Sequence, residues 1–193
     1  MTYQVKPFDL SKVQGLSKKA LDLHLTLYKG YVDNLNKLLE QVPQGVPAGG
    51  ALAMDGYTRR FAFEYNGVML HELFFETLTG ESHAPSADGA FLKSVSADYG
   101  SFDGWKNAVE TLAKTRGVGW VITVRERATQ RVHNCWIDLH HFSVPANSDV
   151  IFVLDCWEHA FILDFTPAQR PDFVKIVLQN TDWRKVETRL KPV

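Results

Sequence analysis

Few things are in excess in this chain of 193 residues, and each shortage closes a class of function. A formal net charge of -1 gives no electrostatic argument for nucleic acid or for an anionic membrane surface. No apolar stretch reaches the roughly 18 residues that a membrane span needs. The opening residues, MTYQVKPFDLSK, lack the apolar core of a secretory signal, so the cytoplasm is the expected compartment. Cysteine is scarce as well. Cys135 and Cys156 are too few for a disulfide scaffold and fall in strand-like, apolar text, where small buried thiols are expected. There is no internal repeat and no low-complexity segment. What the chain does carry is 5 Trp, 12 Phe and 7 His, several of the histidines on faces that periodicity assigns to the interior. The length suits one compact domain or two small lobes sharing a core.

The first half reads as helical. Between about Leu16 and Glu40, the residues Leu21, Leu25, Tyr28, Val32, Leu35 and Leu39 recur at the three-four spacing of an amphipathic helix. VPQGVPAGG (42–50) cannot continue it, since two prolines and three glycines break the pattern. A second helix is expected from about Tyr57 to Leu78, with Val68, His71, Phe75 and Leu78 on one stripe. TGESHAPSADGA (79–90) is a loop and the expected lobe boundary, dividing a helical-hairpin domain over 1–84 from an α/β domain over 85–193. In the latter a helix is expected from about Leu92 to Arg116. Strands follow in GWVITVRER and VHNCWIDLH, joined at ATQR, and a third in SDVIFVLD. Thr166 and Pro167 fit the N-cap and first position of a further helix. The resulting class is α+β: an N-terminal antiparallel helical hairpin, then a C-terminal lobe whose three-stranded antiparallel sheet is flanked by helices.

In FVLDCWEHAFILDF (152–165) an apolar strand ends on Asp155, and His159 follows four residues later. On a helix that spacing places both side chains on one face, where their ends can meet. The plain alternative is an acid favoured at a helix N-terminus, with an unrelated histidine after it. His24 shares a face with Tyr28, Tyr31 and Leu35, and His71 sits among Met69, Leu70, Leu73, Phe74 and Phe75. Each alone reads either as a core histidine donating to a carbonyl or as a metal ligand. Together they say more. Burial disfavours a charged imidazole and strands a neutral one without partners, and a single metal ion satisfies several such groups. Three imidazoles and one carboxylate suit a first-row transition metal and leave room for a solvent ligand.

These segments, in this order, resemble the iron/manganese superoxide dismutase family over most of the chain. HLTLYKGYVDNLN is similar to the family's first helix, NGVMLHELFF to its second and GVGW to its Gly-Ser-Gly-Trp turn. LDCWEHAF resembles Asp-x-Trp-Glu-His-Ala, the most specific signature of the set. QRPDFVKIVLQNTDWRKV resembles the closing helix, with Asp182 in place of an Asn. The resemblance implies that His24, His71, Asp155 and His159 bind one iron or manganese ion. Iron is slightly favoured, because an outer histidine supplied by the sheet occurs in iron-using and metal-tolerant members. Tyr31 would gate the substrate funnel, and His140, or its neighbour His141, would contact the solvent ligand. Gly67 matches the small residue that accompanies such a contact. Trp120 and Trp157 match aromatic walls of the site, and Glu158 matches the glutamate that pairs with a ligand histidine across a dimer. The implied partners are superoxide and a second copy of the chain, with a tetramer left open, and neither nucleic acid nor membrane.

Around this set the chain departs from the family. One residue fewer separates His24 from Tyr31, which leaves Tyr28 near the place of an outer histidine. Phe161 and Ile162 stand where the family has two tyrosines, Leu70 stands for an Asn and Phe75 for a Trp. The ligands are kept while their surroundings become more apolar. The implied activity is dismutation of superoxide to dioxygen and hydrogen peroxide by one-electron cycling of the ion. Two alternatives stand beside it. One is a family member that holds metal without fast dismutation, serving another redox role or metal binding; the other is a metal-free structural or interaction protein on the same scaffold.

Overall fold

The computed structural model describes residues 2–41 and 49–190. Apart from Gly49 and Gly50, the loop expected over 42–50 lies outside the described residues. Helix α1 (Lys18–Gln41) buries Ala20, Leu21, His24, Tyr28, Val32 and Leu35 on one stripe, as its spacing requires. The Ser17 hydroxyl opens it by accepting the Ala20 N–H at 3.1 Å. Helix α2 (Gly50–Thr77) returns beside α1 and completes the hairpin. It begins well before the expected Tyr57. The stretch ALAM is made of good helix formers, and Gly56 sits inside the helix with open space beside it. The buried face of α2 is wide, taking in Gly67, Val68, Leu70, His71, Phe74 and Phe75, because it packs against α1 on one side and the sheet on the other.

The single helix expected over 92–116 is two, α3 (Ala90–Tyr99) and α4 (Phe102–Leu112). Gly100 takes φ 79°, a left-handed conformation that ends α3. Ser101 then caps α4 by accepting the Gly104 N–H at 2.9 Å. The Gly-Ser pair was the signal, hidden by apolar residues that keep helical spacing across it.

The sheet has β1 (Gly119–Glu126), β2 (Val132–Asp138) and β3 (Ser148–Asp155) in the antiparallel order β2-β1-β3. Central β1 is buried almost throughout, while edge strand β2 exposes several of its residues. On the far side, Trp105, Phe91, Phe152 and Trp183 form an aromatic core, with the Trp105 indole N–H donating to Thr123 Oγ1 at 3.1 Å. Within the register Trp120 lies opposite Asp155, and residues directly opposite share a face. The end of the sheet therefore presents an indole and a carboxylate side by side towards α2.

No α-helix follows Asp155. Its Oδ1 accepts the Trp157 N–H at 2.8 Å, which folds the chain back, and a single 3-10 turn (Glu158–Ala160) then carries His159 over the strand end. The return over four residues comes from this side-chain-capped turn. A second 3-10 turn (Pro167–Gln169) precedes α5 (Arg170–Gln179), and Asp182 caps α6 (Trp183–Glu187) by accepting the Arg184 N–H at 3.1 Å. Both cysteines are free thiols, Cys156 buried and Cys135 half-buried. Among the described residues no helix is long and apolar enough to cross a membrane.

Candidate metal centre

Four elements meet at one point. His24 comes from α1, His71 from α2, Asp155 from the last position of β3, and His159 from the turn that follows. One ligand atom from each lies within 4.8 Å of all the others, the one such cluster of His, Cys, Asp or Glu among the described residues. His24 Nε2 and His159 Nε2 each stand 3.1 Å from Asp155 Oδ2, and His71 Nε2 stands 3.7 Å from it. His24, His71 and Asp155 are fully or almost fully buried.

The electrostatics suit a cation. Burial pushes the His24 and His71 imidazoles below their ordinary range, so both are neutral near pH 7. Burial alone would raise the Asp155 carboxyl, but His159 and His24 outweigh it and hold that carboxyl well below the usual carboxylate range. His71 Nδ1–H donates to the Gly67 carbonyl at 2.6 Å, which fixes the tautomer and directs the Nε2 lone pair inward. That Nε2 is fully buried and has no hydrogen-bond partner. An orphaned lone pair beside a buried anion is costly unless a positive ion sits between them. The donor set fits iron or manganese bound through three imidazole nitrogens and one carboxylate oxygen.

A second group of residues surrounds the first. The Trp120 indole N–H donates to His140 Nδ1 at 3.0 Å, so the His140 proton resides on Nε2 and points at the Tyr31 oxygen, 2.8 Å away. This leaves the Tyr31 hydroxyl hydrogen for another acceptor. Burial, with the Asp155 charge adding to it, holds the Tyr31 phenol above its ordinary range, so the hydroxyl keeps its proton near neutrality. Trp157 stacks on both His140 (4.8 Å, 16°) and His159 (5.4 Å, 23°). Gly67 lies under the Tyr31 ring so closely that a Cβ there would come within 2.6 Å of it.

The other residues singled out from the sequence divide between those that pack against the centre and those that lie away from it. Tyr28 does not turn its hydroxyl to the outer sphere of the centre. Its oxygen accepts the Lys6 backbone N–H and its O–H donates to Glu72 Oε1, both at 3.0 Å, and burial pushes the phenol up to about 12. The N-terminal segment, which lies beside α1 and supplies that backbone partner, was not legible as such. His140 is the histidine turned inward, while His141 packs on Phe142 at 4.2 Å. Phe161 points into the core against Phe173, Ile162 is exposed at the surface, and Leu70 and Phe75 are buried, Phe75 within 4.8 Å of His24. Glu158 is exposed beside His159. Sequence reasoning missed Phe63, whose ring meets His140 at 4.6 Å. Its signal was the four-residue spacing of Phe63, Gly67 and His71 on one helical stripe.

The buried imidazoles make folding pH-dependent. Burial lowers His140 from the ordinary 6.5 to about 4, and His24 and His71 shift in the same direction. Between those values the unfolded chain binds protons that the folded chain excludes, so stability falls as pH drops through that window. His140 alone accounts for about 3 kcal/mol by the lower end. Urea midpoints of the metal-free protein should decline steadily from about pH 6.5 to about pH 4. A midpoint that stays level across that range contradicts neutral, buried histidines.

Two family models match the chain. Residues 7–79 match the alpha-hairpin domain of iron/manganese superoxide dismutases, and residues 87–189 match their C-terminal domain. The chain is 30% identical to superoxide dismutase (Mn) 2 of Haloferax volcanii, an alignment covering 98% of this chain and 96% of that protein. It is 27% identical to superoxide dismutase (Fe) of Cupriavidus metallidurans, again over 98% and 96% of the two chains. Superoxide dismutase (Fe) of Methanothermobacter marburgensis is 25% identical, over 90% of this chain and 87% of its own length.

Proposed function

The chain belongs to the iron/manganese superoxide dismutase family, and from that premise we propose that it dismutes superoxide to dioxygen and hydrogen peroxide. The observation that carries the reading is the convergence of three imidazole Nε2 atoms on Asp155 Oδ2, with the buried His71 Nε2 left unpartnered. A bound iron or manganese ion would supply the one-electron exchange in both directions. His24, His71 and His159 hold the site as neutral donors, and Asp155 contributes the one negative charge that offsets a tri- or divalent ion. Trp120, Phe74, Phe75 and Trp157 surround these donors with rings and exclude water from their outer faces. Peroxide formation consumes two protons. Tyr31 holds one at its oxygen, and His140 Nε2–H fixes the direction in which that hydroxyl can donate.

The intact donor set favours this reading over a metal-free scaffold, and relatives named as superoxide dismutases over nearly their whole length favour it over metal binding without dismutation. The finer parts are also ours. Iron is slightly preferred, because His140 supplies the outer histidine that the resemblance links to iron-using and metal-tolerant members. Glu158, exposed beside His159, faces a second copy of the chain, making a dimer. Two free thiols suit a reducing compartment such as the cytoplasm. The two lobes divide at 84/85, between the matched segments.

Purified protein loaded with iron or manganese should consume superoxide far faster than the same concentration of free ion. It should bind one ion per chain. A rate no better than that of the free ion rejects the reading.

A further inference from the structure

His140, like Trp157, is an outer residue of the centre that no helix or strand carries. It follows Leu139, whose φ of 52° is left-handed, and the chain through residues 139–143 is turn. That conformation costs an L-residue about 1–2 kcal/mol, so the backbone here is held by its surroundings. The imidazole must be fixed from outside. Trp120 and Tyr31 hold its two nitrogens, and Trp157 covers one face. Phe63 meets the ring from α2 at 4.6 Å and 64°, an edge-to-face contact. The same phenyl ring touches Tyr31 (6.0 Å, 54°) and His141 (5.7 Å, 82°).

Phe63 is itself secured. The Arg60 guanidinium lies 5.0 Å over its ring and pairs with Glu64, which is completely buried. Gly67, one turn further along α2, offers no side chain to support His140, because the Tyr31 ring occupies that space. Two residues of α2 reach the His140 ring, the ligand His71 at 5.8 Å and Phe63 at 4.6 Å, and of the two only Phe63 has no part in the donor set.

We propose that Phe63 is a positioning residue: its ring holds His140 Nε2 on the Tyr31 oxygen. The proposal rests on the dismutase reading, since the pair it supports is the proton-holding part of that site.

The test uses metal-loaded wild type, Phe63→Ala, Phe63→Leu, Phe63→Tyr, His140→Ala and the double variant Phe63→Ala/His140→Ala. Loosening a reacting geometry without removing a group should lower kcat about tenfold in Phe63→Ala, with KM changed less than about twofold. Metal content should stay at the wild-type level. Phe63→Tyr should restore most of the rate, and Phe63→Leu should behave like Phe63→Ala, serving in its place if that variant fails to fold. In the His140→Ala background, loss of Phe63 should cost less than about twofold more. Azide affinity, read from the visible spectrum of the loaded protein, should shift in the same direction for Phe63→Ala and His140→Ala and should not shift further in the double variant. A full tenfold loss that persists without His140, or an unchanged rate and azide affinity in Phe63→Ala and Phe63→Leu, overturns the proposal. An inactive wild type would instead defeat the dismutase reading, and the azide titration would still decide whether Phe63 acts through His140.

Discussion

Replacing His159 with alanine is expected to empty the centre of metal while leaving the protein folded. Among the four donors His159 is the most exposed, at 16% of its side chain, and it is carried by a short turn rather than by a core element. Its loss removes ring contacts to Trp157, His24 and His71 but no residue of the helical hairpin itself. The effect on the ion is much larger. Groups that merely orient metal ligands change affinity by about 10–100-fold when mutated, so removal of a direct donor should exceed that range. Two imidazoles and a carboxylate then remain. After dialysis, elemental analysis should find the variant nearly metal-free and superoxide consumption should drop to background. Full occupancy in His159→Ala would remove His159 from the ligand set.

The second large effect is expected from one of the smallest substitutions available. In Gly67→Ala the new methyl would stand 2.6 Å from Tyr31 Cδ1 and 2.9 Å from Cγ, distances that no relaxed side chain tolerates. The phenol ring cannot swing freely, since it is bounded by Phe63, His71 and His140. Overpacking of this kind costs about 1–3 kcal/mol, visible as a lower urea midpoint. It should also pull the Tyr31 oxygen off His140 Nε2, and displacement of a reacting group by about 1 Å can cost a hundredfold in rate. Metal content should be unaffected, because the Gly67 carbonyl that holds His71 Nδ1 stays in place. A Gly67→Ala protein with wild-type rate and stability would show that the Tyr31 ring does not fill the space over Gly67, whereas one that is destabilised yet keeps the wild-type rate would show that the Tyr31–His140 contact has no part in turnover.

Much of this site was legible because its donors break the pattern of the elements that carry them. A histidine among leucines on α1, another among phenylalanines on α2 and an acid ending an apolar strand all violate the rule that buried groups are apolar. Such violations mark chemistry. The three strands and α1 were equally plain, since a two-residue or a three-four period is a local property. What was not legible depended on contacts distant in the chain. The partners of Tyr28 come from the N-terminal segment and from Glu72, and no helical period on α1 could have announced them. The choice of His140 over His141 turns on one left-handed residue, Leu139, that sequence gives no reason to expect. The return of His159 over Asp155 rests on a carboxylate-to-backbone hydrogen bond, so the four-residue spacing was read correctly for proximity and wrongly for helix. Phe63 was passed over because an aromatic on a helix is usually core, and only the position of His140 gives it a further task.

The central claim is that His24, His71, Asp155 and His159 close on a single redox-active ion. Anomalous diffraction from crystals of the metal-loaded protein, recorded on either side of the iron and manganese absorption edges, tests it most directly. The account predicts one strong peak per chain, bonded to the three Nε2 atoms and to Asp155 Oδ2. An active, metal-containing protein whose peak lies away from those four atoms would contradict it.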